Sequence, residues 1–196
     1  MARHRLTLGV GYDSRTLETV PTSPERDGSK SICTKPSYGP IHYHWYRKDQ
    51  HRSLIATVRQ IAVDEGLSER DVARVVGEFR ALLLSLIGGK LKPIEHVKGP
   101  MASVTDLVIF EVFTNTEVHG GVRFAVRAYH VEPRPLRRPG GSTVVGLHVH
   151  AKDLSDEATI NTLQNVELQI ARKRYYHGKS SNWGDAALLP LEDIIR

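Results

Sequence analysis

Apolar residues recur along the chain in two periods, and the period marks the elements. Leu54, Ile55, Val58, Ile61 and Ala62 follow helical spacing, as do Val72, Val75, Val76, Phe79, Leu82, Leu83, Leu86 and Ile87. Gly66 reads as the residue that ends the first helix. Ser68 reads as the N-cap of the second, with Asp71 in the first turn where the helix dipole favours a negative charge. Gly88-Gly89 stops the pair, which is a helical hairpin. A third helix is expected from near Ser155, with Asp156 and Glu157 in its first turn and Ile160, Leu163, Val166, Ile170 and Ala171 along one side. It runs into Arg172-Lys173-Arg174, where a helix C-terminus accepts cations.

The strand period is two. Ile41–Arg47 alternates, with His42, His44 and Tyr46 on one face and Tyr43 and Trp45 on the other. Leu107–Thr114 is apolar on both faces except for Glu111, as expected of a strand covered on both sides. Val122, Phe124, Val126 and Ala128 alternate with Arg123, Ala125, Arg127 and Tyr129. Val145, Leu147 and Val149 alternate with Gly146, His148, His150 and Lys152. The order strand, helix, helix, strand, strand, strand, helix predicts an α+β fold, with a helical hairpin packed on a small antiparallel sheet and the helices on one face. Residues 1–40, broken by prolines and glycines, read as a partly flexible N-terminal extension with a short strand at Arg5–Val10. Residues 41–177 form the domain. The tail, 178–196, carries a turn at Ser180–Gly184 and an apolar segment at Ala186–Ile195.

Composition narrows the class. The chain has 196 residues, a net charge of +5 and a pI near 9.4, which favours an anionic partner. A single cysteine, Cys33, excludes an intrachain disulfide and fits a reducing cytoplasm. No signal-peptide pattern follows the basic start, and no apolar run is long enough for a membrane span.

Candidate chemistry lies on the two half-polar strands. If they are neighbours in register, Arg123, Arg127, His148, His150, Lys152 and Tyr129 share a face, and no carboxylate is interleaved within them. Arginines can clamp a phosphate in a bidentate way and histidines can transfer protons near neutral pH. Lys90, Lys92, Lys98, Arg127, Arg172, Lys173 and Arg174 are candidates for holding a nucleic-acid backbone, although a helix terminus alone accounts for 172–174. His42-x-His44 and His148-x-His150 each present two imidazoles to one face, but without further ligands no metal is assigned. No cofactor is implied. Ile61–Val76 also matches helix-turn-helix spacing, so a DNA-binding regulator or nucleoid-type protein using residues 52–88 stands as an alternative. A non-catalytic structural or interaction protein is a third.

Over residues 41–177 the chain resembles the RelE/HigB family of toxin ribonucleases. The resemblance rests on the element order and on Leu91-Lys92-Pro93…Gly99 after the hairpin. It also rests on Ile109-Phe110-Glu111-Val112, on Val122-Arg123-Phe124, on Val144 to Lys152 leading to a basic corner, and on Glu167 to Arg174. It implies the toxin of a toxin–antitoxin pair, a ribosome-dependent endoribonuclease that cleaves messenger RNA by attack of the 2′-hydroxyl. Its partners would be RNA, the ribosome and a cognate antitoxin in the cytoplasm. The family often places a tyrosine or histidine near the C-terminus of the core. Tyr176 and His177 therefore join Arg123, His148, His150 and Lys152 as expected catalytic residues.

Overall fold

The computed structural model describes residues 26–48, 53–121, 123–133, 141–152 and 157–189, with the backbone alone at 38, 157–163 and 188. The strand expected at Arg5–Val10 and the N-terminal turn of the third helix at 155–156 lie outside these. Among the described residues six strands form one sheet: β1 (Ile41–Tyr46), β2 (Val97–Lys98), β3 (Phe110–Glu117), β4 (Arg123–Val131), β5 (Ser142–Lys152) and β6 (Ala186–Leu188). Their spatial order is β2-β3-β4-β5-β1-β6. The meander β2 to β5 is antiparallel, β1 lies parallel to β5, and β6 closes the far edge antiparallel to β1. The fold is α+β with a mostly antiparallel sheet. The strand expected at 107–114 lies three residues further along, because Ile109 and Leu107 turn instead into a second apolar cluster.

The hairpin is α1 (Leu54–Asp64) and α2 (Glu69–Ile87). Ser53 Oγ accepts from the Ala56 amide at 3.2 Å and Ser68 Oγ from the Asp71 amide at 3.3 Å, so each helix starts on a side-chain cap. Gly66 takes φ +74° between them, a conformation that costs glycine little. Val72, Val75, Val76, Phe79, Leu82, Leu83 and Leu86 are buried, so the predicted stripe of α2 faces the sheet. It packs with Ile41, Tyr43, Trp45, Phe110, Val112, Phe124, Val126, Ala128, Val144 and Val149. Ile32 and Cys33 belong to the same cluster, so the segment before β1 is part of the packed unit.

The helices do not share one face. The third helix, α3 (Glu157–Ser180), covers the opposite side, where Leu168 and Ala171 meet Tyr46, Ile109, Tyr129, Val131, Val145, Leu147 and Trp183. One face of the sheet is therefore apolar against the hairpin. The other is half apolar and half polar against α3.

The strict alternation expected along β5 also fails. Tyr129 pairs with His148 but His130 pairs with Gly146, so one step on β4 spans two on β5. This β-bulge puts Leu147 and His148 on the same side, under α3, and returns Val149 to the hairpin side. Gly146 is required here: a Cβ would overlap Tyr43 Oη and lie 2.7 Å from its Cζ and 2.9 Å from Trp45 Cε3. Tyr43 and Trp45 are buried and cannot give way easily. Gly146→Ala should therefore destabilise the protein by about 2–3 kcal/mol in urea unfolding. Tyr43→Phe should recover part of that loss, since it removes the overlapping hydroxyl.

Candidate functional site

Register assembles the polar face into cross-strand rows. Lys98, Glu111, Tyr129 and His148 are successive partners across β2, β3, β4 and β5. Phe113, Arg127 and His150 form the next row, and Asn115, Ala125 and Lys152 the third. Side chains directly opposite one another on a face are in contact range. The expected alignment of Arg127, Tyr129, His148, His150 and Lys152 is present.

Carboxylates, however, reach the face from outside the two strands. Arg127 Nη1 donates to Glu111 Oε1 at 2.5 Å, and both side chains are almost fully buried. His148 Nε2 is paired with Glu167 of α3, and its Nδ1 accepts from Arg174 Nη1 at 2.8 Å. Arg174 Nη1 also donates to the Leu147 carbonyl at 2.9 Å. Both ring nitrogens of His148 are thus committed to α3. The His148 contact, ahead of any other cause, holds the Glu167 carboxyl below its ordinary range.

His150 is different. Its ring stacks between Tyr129, at 5.4 Å, and His148, at 5.9 Å. Its Nδ1 lies 2.8 Å from the Ala151 carbonyl, which fixes the proton there, and leaves Nε2 as an acceptor that is buried and has no partner. Burial pushes its pKa down to about 4, so the ring is neutral at pH 7. Burial, reinforced by Glu111, pushes the Tyr129 phenol above its ordinary range. Across the strand pair from His150, Arg127 Nε is a buried donor without a partner.

Of these groups Glu111 and Arg127 line a cavity of about 260 Å³, together with Arg26, Lys98, Gly99–Ala102, Lys152 and Gln164; His150, Tyr129 and His148 do not line it. Four cations face one carboxylate there. Lys98 Nζ and Arg127 Cζ also lie 5.2 and 5.7 Å from the centre of the Phe113 ring, within cation–π range.

Other expected residues lie elsewhere. Arg123 is exposed at the start of β4, opposite Glu117. Lys90 and Lys173 are exposed, and Lys92 pairs with Glu95 at 3.2 Å. Arg172 binds Asp106 at 2.8 Å, and Tyr176 donates to the same carboxylate at 2.5 Å. Arg172 first and Tyr176 second hold the Asp106 carboxyl down at about 2. His177 Nδ1 accepts from Tyr46 Oη at 2.6 Å, and its ring also meets Lys48. It lies ten residues beyond Glu167 on α3, roughly 15 Å along the axis. Tyr176 and His177 therefore pin the far end of α3 and are not brought to the cavity. Among the described residues neither His-x-His pair forms a group of three ligand atoms close enough to share an ion, although Glu167 contacts His148.

Glu111, Gln164, Glu167 and Arg26 were not anticipated as site residues. Glu111 carried a signal, an acid inside an otherwise apolar strand. Gln164 and Glu167 carried none, because their place depends on which face α3 covers. Comparison of the chain with protein-family models, with curated proteins and with solved structures finds no match.

Two outcomes follow from the buried charges. Glu111→Gln leaves Arg127 buried without its counter-charge and should destabilise by about 3 kcal/mol, most of it recovered in Glu111→Gln/Arg127→Met. The second concerns pH. Unfolded His150 takes up its proton near pH 6.5, the folded residue only near about 4. Its contribution is complete above pH 6.5 and is lost as pH falls towards 4. Urea unfolding should show a decline on the order of 2 kcal/mol across that window, flattened in His150→Phe.

Proposed function

We propose that the protein is a RelE/HigB-like toxin that cleaves messenger RNA, using the α3-covered face of the sheet as its phosphodiester site. One observation carries the reading. An unsatisfied acceptor, His150 Nε2, and an unsatisfied donor, Arg127 Nε, lie on cross-strand partners, and Arg127 lines a cavity rich in cations. Buried polar groups without partners are uncommon in native proteins, and this pair matches a hydroxyl next to a phosphate. The order of strand, helical hairpin, antiparallel strands and then the helix α3 supports the same family, with β6 as an addition after it.

In this mechanism Arg127, Lys98 and Arg26 bind the phosphate, and His150 Nε2 accepts the proton of the 2′-hydroxyl. The 2′-oxygen bonds to phosphorus, the bond to the 5′-oxygen breaks, and Lys152 protonates that leaving oxygen. The products are a 2′,3′-cyclic phosphate and a 5′-hydroxyl. Binding of an anion beside His150 raises its pKa from about 4 towards the range useful for a base. His148 is a positioning residue, clamped by Glu167 and Arg174 so that its ring backs His150. The ribosome and an antitoxin are the partners this reading assigns, and the cytoplasm its compartment. Among the described residues no helix is long and apolar enough to cross a membrane.

The DNA-binding reading has weaker electrostatics. The outward residues of α2 include Glu69 and Glu78 beside Arg70 and Arg74. Arg74 Nη1 is held by the Glu117 carbonyl at 2.6 Å, and Glu78 accepts from Thr116 at 2.7 Å.

Induced expression should arrest growth and create new cleavage ends within translated messages. His150→Ala should lower cleavage by about 10²–10⁴-fold, and Lys152→Ala by a smaller factor. Intact messages with salt-dependent duplex binding, abolished by Arg70→Ala/Arg74→Ala, would favour the DNA-binding reading instead.

A further inference from the structure

On the hairpin side of the sheet a second cluster stands apart from the cavity. Cys33 belongs to the one-turn segment Ile32–Thr34, and His130 and Glu132 lie at the end of β4. Cys33 and His130 are fully buried, and Glu132 is nearly so. Cys33 Sγ is 3.8 Å from His130 Nε2, and that nitrogen is 3.5 Å from Glu132 Oε1. All three ligand atoms lie within 4.8 Å of one another. Metal–ligand bonds of about 2.0–2.3 Å at tetrahedral angles place ligand atoms roughly 3.3–3.7 Å apart. The observed separations are within a few tenths of an ångström of those edges for the two measured pairs.

We propose that Cys33 Sγ, His130 Nε2 and Glu132 Oε1 bind a zinc ion that ties the Ile32–Thr34 turn to the end of β4. The donor set is a thiol, an imidazole and a carboxylate, which suits zinc over calcium or magnesium. The thiol leaves its proton to solvent when the metal binds, so thiolate and carboxylate together neutralise the dication in a buried site. Ser31 supports the third ligand: its Oγ donates to Glu132 Oε1 at 2.6 Å, and the Ile32 amide donates to the same carboxylate at 3.1 Å. His130 is oriented by stacking on Phe110, with ring centres 5.6 Å apart. The alternative use of the trio, as a nucleophile with its base, does not fit. Cys33 has no exposed surface, and burial pushes its thiol well above the ordinary range.

The role is structural. The turn at 32–34 joins the hairpin core, and Leu91 donates its amide to the Cys33 carbonyl at 3.0 Å. A metal at this point would tie together the segment before β1, the end of β4 and the connection after α2 that carries Leu91. The site lies on the face of the sheet away from the cationic cavity, so it stands independently of the RNA reading.

Cobalt titration of the chelator-treated full chain tests the proposal. Because the chain has one cysteine, a thiolate-to-cobalt charge-transfer band reports Cys33 alone. About one equivalent of cobalt should give that band with intense tetrahedral visible bands, and zinc should abolish both. Zinc in slight excess should raise the unfolding temperature by mass action. Glu132→Gln and His130→Gln should each weaken binding by at least about tenfold. A wild-type titration without the charge-transfer band overturns the proposal whatever the variants do. So does a band unchanged in both variants.

Discussion

The bulge opposite Tyr129 and His130 is the constraint on which the rest of the polar face depends. One extra residue on β5 moves Leu147 and His148 to the same side and lets an apolar and a polar patch share the face under α3. Leu147 then packs with Leu168 and Ala171, while His148 takes the carboxylate of Glu167, the residue just before Leu168 on the same helix. Without the bulge, a period of two would send His148 and His150 to the face opposite Leu147 and would separate the helix's anchor from its ion pair. Gly146 makes the bulge possible because Tyr43 and Trp45 leave no room for a side chain.

The buried charges are organised around that geometry. Arg127 and Glu111 are each costly to bury alone and are tolerable together. His148 is saturated by two groups from α3, so the neighbouring ring of His150 is held in place with one nitrogen spare. A pair of unsatisfied groups on cross-strand partners, one of them on a residue that lines a cation-rich cavity, is more specific than net charge, since basic composition alone is common among proteins that bind no nucleic acid.

Local features were legible in the sequence. The caps at Ser53 and Ser68, the glycine at 66 and the stripe from Val72 to Leu86 depend on neighbours within a few residues. The register of Arg127 against His150 was legible as a possibility, because both alternate in the same phase. What could not be read was non-local. Nothing in Ile41–Tyr46 announces a parallel partner a hundred residues away. Nothing in α3 says which face it covers, so Glu167 and Gln164 could not be placed beside Glu111 and His148. The cluster of Cys33 with His130 and Glu132 joins segments about a hundred residues apart, whereas the metal motifs visible in sequence were the two His-x-His pairs. The family resemblance implied Tyr176 and His177 at the reaction centre, and the long reach of α3 takes them instead to Asp106 and Tyr46.

The central claim is that His150 and Arg127 together receive the scissile phosphodiester of RNA. Nitrogen-detected NMR of the histidine rings, with and without a 2′-fluoro RNA oligonucleotide that cannot be cleaved, tests it most directly. Binding should raise the His150 pKa by at least about one unit from its value of about 4 and shift the Arg127 Nε resonance. An oligonucleotide that binds while leaving both resonances unchanged would contradict the account.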